Sequence, residues 1–126
     1  LSAGVSGDFG GTWTLPRIVG PAKARELYML SERFTAEDAE RLGLVTRVLP
    51  NDELMPAVRN VAKNLSNSAP IALQRIKENF NDSERLSFSE ALDREADRHT
   101  RCSLMEDATE AANAFMEKRE PVFKGR

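Results

Sequence analysis

Three observations predict a mainly α-helical chain. Apolar residues recur at helical spacing in the second half, as in Leu54, Val58, Val61, Ala62 and Leu65. Serine–glutamate capping patterns stand at Ser87–Glu90 and again at Ser103–Glu106. Only Leu44-Val45-Thr46-Arg47-Val48-Leu49, closed by Pro50, has β-type composition. One strand makes no sheet, so this run either pairs outside the chain or serves as an extended connector.

The elements follow in order. The stretch Gly4–Trp13 holds four of the chain's 7 glycines and one carboxylate, Asp8. Glycine lets backbone approach a ligand at no steric cost, and a helix start turns N–H groups outward. A helix is predicted from Phe9, kinked or cut short at Pro16. Gly20-Pro21 starts the next helix, with Ala24, Leu27, Tyr28 and Ser31 on one face. Thr35 is an N-cap before Glu37 and Asp38, and Gly43 a C-cap. Ser68-Ala69-Pro70 restarts the chain, and Leu73, Ile76 and Phe80 mark a helix ending in an Asn81-Asp82-Ser83 loop. Phe88, Ala91, Leu92, Ala96 and His99 are expected to form the buried face of the following helix. Leu104, Ala108, Ala111, Ala112 and Phe115 are expected to do the same in the last one. Lys118–Arg126 is a basic tail broken by Pro121.

Bulk properties bound the function. The 126 residues suffice for one domain, and 40% hydrophobic with 30% charged residues is a globular composition. A net charge of −2 argues against nucleic acid as a partner. The single cysteine, Cys102, excludes an intrachain disulfide and has no visible base, so it reads as packing. No apolar run is of membrane-spanning length and no signal peptide is visible, so the expectation is a soluble, cytoplasmic protein with no membrane partner. One His and one Cys offer no metal-ligand spacing, and His99, with Glu95 one turn before it, reads as a packed or interface residue. The chain opens at Leu1 inside a glycine-rich segment, which together with the lone strand suggests part of something longer.

The order of motifs resembles the crotonase (enoyl-CoA hydratase/isomerase) superfamily. Gly10-Gly11-Thr12-Trp13-Thr14-Leu15-Pro16-Arg17-Ile18-Val19-Gly20 is similar to the family's glycine turn and helix. Ala24-Arg25-Glu26-Leu27, Ala36 to Val45 with Arg47-Val48-Leu49-Pro50, and Phe115 to Arg126 match further family segments in order. The resemblance implies the C-terminal half of a ββα-spiral fold. Residues 1–50 would finish the spiral core, and residues 51–126 would form a helical region that builds a homotrimer or a dimer of trimers.

It also implies an acyl-CoA substrate, with coenzyme A entering as part of the substrate and no separate cofactor. The thioester oxygen would be held by two backbone N–H groups in segments before Leu1, so this stretch alone would be inactive. The family's hydratase glutamate falls immediately before Leu1. Asp8 matches the position where some relatives carry a nucleophilic or acid–base aspartate. Two roles stay open for it: proton transfer beside an oxyanion-stabilised enolate, or capping of the helix that follows. A carboxylate works near neutrality only when burial favours its protonated form. Phe9 and Trp13 either line an acyl pocket or pack in the core. Phe115 and Lys118 match positions that contact the adenine and phosphate end of CoA bound to a neighbouring subunit. Hydration of a 2-enoyl-CoA is the first expectation, isomerisation through Asp8 the second, and a purely helical oligomerisation module the third.

Overall fold

The computed structural model describes Gly4 and residues 6–126; Leu1 and Val5, the latter inside the opening glycine stretch, lie outside the described residues. Seven helices follow one another: α1 Gly11–Val19, α2 Pro21–Leu30, α3 Ala36–Arg41, α4 Asn51–Ser66, α5 Pro70–Ser83, α6 Phe88–Ser103 and α7 Glu106–Glu117. The chain divides into two compact units, Leu1–Leu54 and Met55–Arg126. No described helix is long and apolar enough to cross a membrane.

In the first unit, α1 packs on α2. The contact turns on small residues: Ala24 is buried, and Gly11 faces the Tyr28 ring with no room for a side chain. Pro16 sits within α1, which is only 9 residues long. Thr35 caps α3 as its composition predicts, and its hydroxyl accepts from the Asp38 N–H while the Asp38 carboxylate accepts in return. That donor set, with the neighbouring Arg41, holds the Asp38 carboxyl below the usual carboxylate range. At the other end Gly43, at φ 75°, closes α3. The Gly43 N–H donates to Glu40 and the Leu44 N–H to Ala39, a Schellman closure that needs a left-handed residue.

The predicted strand over Leu44–Leu49 does not form among the described residues; the segment is an irregular connector. β-type composition becomes a strand only when a ladder partner satisfies its backbone, and here the Leu44 N–H is taken by the α3 closure. The Val48 N–H donates to the Glu40 carboxylate instead.

In the second unit, α5 packs on α6 and α6 on α7. Three details depart from the sequence expectation. Residues 81–83 are the last turn of α5 rather than a loop, because the Asp82 carboxylate is drawn to Arg98 of α6. Ser103 is not an N-cap: α6 runs through it, its hydroxyl back-bonds to the Thr100 carbonyl, and Met105 precedes α7 without a side-chain cap. Ser87, by contrast, caps α6 with Glu90 in the reciprocal arrangement expected.

The third departure concerns which faces pack. Phe88, Leu92, Ala96 and His99 on α6 are exposed, as are Leu104, Ala111, Ala112 and Phe115 around α7. The residues that α7 does bury are Asp107 and Ala114, with Glu110 partly covered between them. Between α5 and α6 the contact is polar. Arg98 donates to Asn79 at 2.7 Å and to Asp82 at 2.7 Å, and pairs with Glu78 at 3.2 Å. Arg98 first, and then Arg85, hold the Asp82 carboxyl below its ordinary range.

This network orders two substitutions. Arg98→Ala strands two acceptors, the Asn79 amide oxygen and one oxygen of the buried Asp82, while Glu78 keeps Arg75, whereas Arg85→Ala removes a largely solvated partner. Thermal unfolding is therefore expected to show a loss of several degrees for Arg98→Ala and a shift of about one degree or less for Arg85→Ala.

Candidate active site

Positive-φ residues shape the entrance to α1. Asp8 accepts the Gly11 N–H through its backbone carbonyl at 3.0 Å. The two central residues of that turn, Phe9 at φ 48° and Gly10 at φ 74°, are both left-handed, which defines a type I′ reversal. Glycine adopts this freely; for an aromatic residue it stores strain of the kind concentrated at functional sites. The reversal is also why α1 begins at Gly11 and not at Phe9. Its N-cap is Gly10, and no side chain caps it. The capping role considered for Asp8 is therefore corrected: its carboxylate is exposed and makes no cap hydrogen bond.

Asp8 instead lies in the wall of an open cavity of about 760 Å³ lined by residues of the first unit. Leu15, Phe34 and Leu44 supply apolar wall, and Thr12 and Tyr28 bring hydroxyls. An apolar cleft with a few convergent polar groups and one carboxylate is suited to an elongated, mostly apolar ligand that must exchange a proton. Because Asp8 is exposed, the described residues do not themselves desolvate it.

Phe9 and Trp13 are not core residues, contrary to the packing alternative. Phe9 is fully exposed and Trp13 is about half exposed. Neither lines the cavity. The Arg17 guanidinium stacks on the Trp13 ring at 3.5 Å and donates to the Trp13 carbonyl at 2.8 Å, a cation–π pair one turn apart on α1. Tyr28 is the cavity residue to which the sequence assigned no chemistry. The signal for it was the face shared with Ala24 and Leu27, opposite a glycine pair that leaves space for a ring.

Phe115 and Lys118 stand together at the end of α7. Phe115 is 86% exposed, and Lys118 reverses the chain at φ 54°. The reversal is closed by the Lys118 N–H on the Phe115 carbonyl and the Arg119 N–H on the Ala114 carbonyl. After it the tail runs back along α7. Arg119 makes a two-pronged contact with Glu110 at 2.6 and 2.9 Å, and the Val122 N–H donates to the same carboxylate at 2.8 Å. Arg119 chiefly, and Val122 next, depress the Glu110 carboxyl to about 2.

The sign of that shift predicts acid sensitivity. A carboxyl whose folded pKa is lowered adds stability above its ordinary 4.5 and loses it as pH falls towards about 2. Tail protection measured by proteolysis or hydrogen exchange should therefore drop across that window. Glu110→Gln should show the low-pH level of protection already at neutral pH.

With this geometry in hand, the chain can be set beside known proteins. The family model for enoyl-CoA hydratase/isomerase matches residues 1–126. A carnitinyl-CoA dehydratase from Salmonella paratyphi A is 37% identical over 98% of this chain and 49% of its own length. The solved enoyl-CoA hydratase of Bacillus anthracis superposes with a TM-score of 0.93 at 30% identity, covering 99% of this chain and 48% of that one. That of a Polaromonas species gives 0.88 at 34% identity, covering 98% and 48%. The chain thus spans about half the length of the relatives it matches. With the family model matching from first residue to last, the chain belongs to the enoyl-CoA hydratase/isomerase family, the crotonase superfamily.

Proposed function

We propose that the full-length protein carrying this chain hydrates a 2-enoyl-CoA. The observation that carries this reading is the family match over residues 1–126, with Asp8 in the wall of the apolar cavity as the acid–base candidate. In the reaction the oxygen of water bonds to C3 and C2 takes a proton, with the thioester oxygen carrying the enolate charge between the two events. Asp8 moves a proton in that exchange, and the cavity takes the acyl chain. The two N–H donors for the thioester oxygen belong, by family resemblance, to segments preceding Leu1 in a ββα-spiral core. Coenzyme A enters as part of the substrate. Hydration and dehydration are one equilibrium read in two directions, so the similarity to a carnitinyl-CoA dehydratase supports the same chemistry.

Phe115 and Lys118 take the nucleotide end of CoA bound by a neighbouring subunit, Phe115 through its exposed ring and Lys118 through its ammonium. The region 51–126 would supply a homotrimer or dimer of trimers. That reading is favoured by exposed apolar side chains along α4, where Leu54, Val58, Val61 and Leu65 are each close to half exposed. The test is incubation of the full-length protein with crotonyl-CoA. Loss of the conjugated absorbance supports the reading, and unchanged absorbance overturns it. A moved but surviving double bond would instead favour isomerisation through Asp8.

A further inference from the structure

Asp107 is a charged residue buried at the start of α7, and its partners are backbone groups of the tail. Its two carboxylate oxygens accept the Lys124 N–H at 2.7 Å and the Gly125 N–H at 2.8 Å, while its own N–H donates to the Arg126 carbonyl at 3.0 Å. Two adjacent N–H groups converge on one carboxylate only where the chain bends. Gly125 makes that bend at φ 73°, and a Cβ there would press on the Pro70 ring at 3.1 Å. Together with Glu110, which takes Arg119 and Val122, this clasps the tail along α7 from the reversal to its first turn.

The clasp has a second effect, on charge. Arg119 is paired with Glu110 and Glu117, and Arg126 with Glu106. Glu106, Glu110 and Glu117 are therefore matched by arginines, and Lys118 makes no ion pair among the described residues. Lys118 sits at the reversal, in a left-handed conformation that is disfavoured for a side-chain-bearing residue and is held by its surroundings. α7 fixes one flank and the clasped tail fixes the other.

We infer that Asp107 is a positioning residue: by clasping the tail through Lys124 and Gly125, it holds the Lys118 ammonium at a fixed site for a phosphate of the CoA nucleotide. The inference rests on the proposed role of Lys118. Arginine is consumed in the clasp and lysine is left for the ligand, which suits a point-charge contact to a phosphate.

The test compares the affinity of the full-length protein for CoA and for dephospho-CoA, which lacks only the 3′-phosphate, by calorimetry. Wild type is expected to prefer CoA by about tenfold, the value of one charge-assisted contact. Lys118→Ala should abolish that preference, and Asp107→Ala should abolish it as well with helical content unchanged by circular dichroism. A chain stopped after Pro121 removes the clasped segment without touching Asp107 or Lys118, and should lose the preference too; it decides the matter if Asp107→Ala does not fold. Retention of the full preference in the Asp107 variant or the shortened chain overturns the inference, as does a wild type that shows no preference. A protein that prefers CoA in this pattern yet leaves crotonyl-CoA unchanged would overturn the hydratase reading and leave the clasp standing.

Discussion

Asp8→Asn is expected to lower kcat for enoyl-CoA hydration by about 10²- to 10⁴-fold, the usual range for loss of a positioned acid or base. The thermal midpoint should stay within about one degree of wild type, because the Asp8 carboxylate caps nothing: α1 starts at Gly11 behind a bare Gly10. The turn before α1 uses the Asp8 carbonyl, which asparagine retains. Kinetics and melting curves on one preparation separate the two roles. A large loss of rate with an unchanged midpoint supports proton transfer. An unchanged rate would remove Asp8 from the chemistry and leave it as a polar residue at the cavity wall.

Gly11→Ala is expected to destabilise the protein by about 1–3 kcal/mol, the usual cost of overpacking a close contact. A Cβ at Gly11 would overlap the Tyr28 hydroxyl and come within 3.2 Å of its ring carbon Cζ. Tyr28 lies on α2, which packs on α1, so the ring must shift within that contact to make room. Tyr28→Phe removes the clashing oxygen and should recover part of the loss, giving a non-zero coupling in a double-mutant cycle of denaturant midpoints. Independent effects of the two changes would show that the ring moves freely. Because Tyr28 and Asp8 share the cavity wall, Gly11→Ala should also raise KM for longer acyl chains.

What could be read from residues alone follows from how local each interaction is. The capping boxes at Thr35 and Ser87, the proline starts of α2 and α5 and the closure at Gly43 are settled within a few residues, and the sequence carries them. The Ser103 pattern misled because the same hydroxyl can bond backwards, and α6 had a further turn to complete. The Leu44–Leu49 run has the composition of a strand, but a strand is a relation between two segments and the second is not among the described residues. The α7 face misled for a physical reason. An apolar stripe marks what some partner must cover, and within this chain the tail offers N–H donors rather than hydrocarbon. Asp107 and Glu110 pack where Leu104 and Phe115 were expected.

For the candidate site, Asp8 was legible because glycine-rich turns and single carboxylates stand out locally. Tyr28 and Asp107 were not, since each makes its contacts with residues distant in sequence, Gly11 in one case and Lys124 with Gly125 in the other.

Proton delivery to C2 of a CoA thioester tests the central claim most directly. The full-length protein would be incubated with crotonyl-CoA in heavy water and the product followed by nuclear magnetic resonance. The prediction is 3-hydroxybutyryl-CoA carrying deuterium at C2, formed at wild-type rates and almost absent with Asp8→Asn. Crotonyl-CoA recovered without hydration and without deuterium, or deuterated product formed equally well by both proteins, would contradict it.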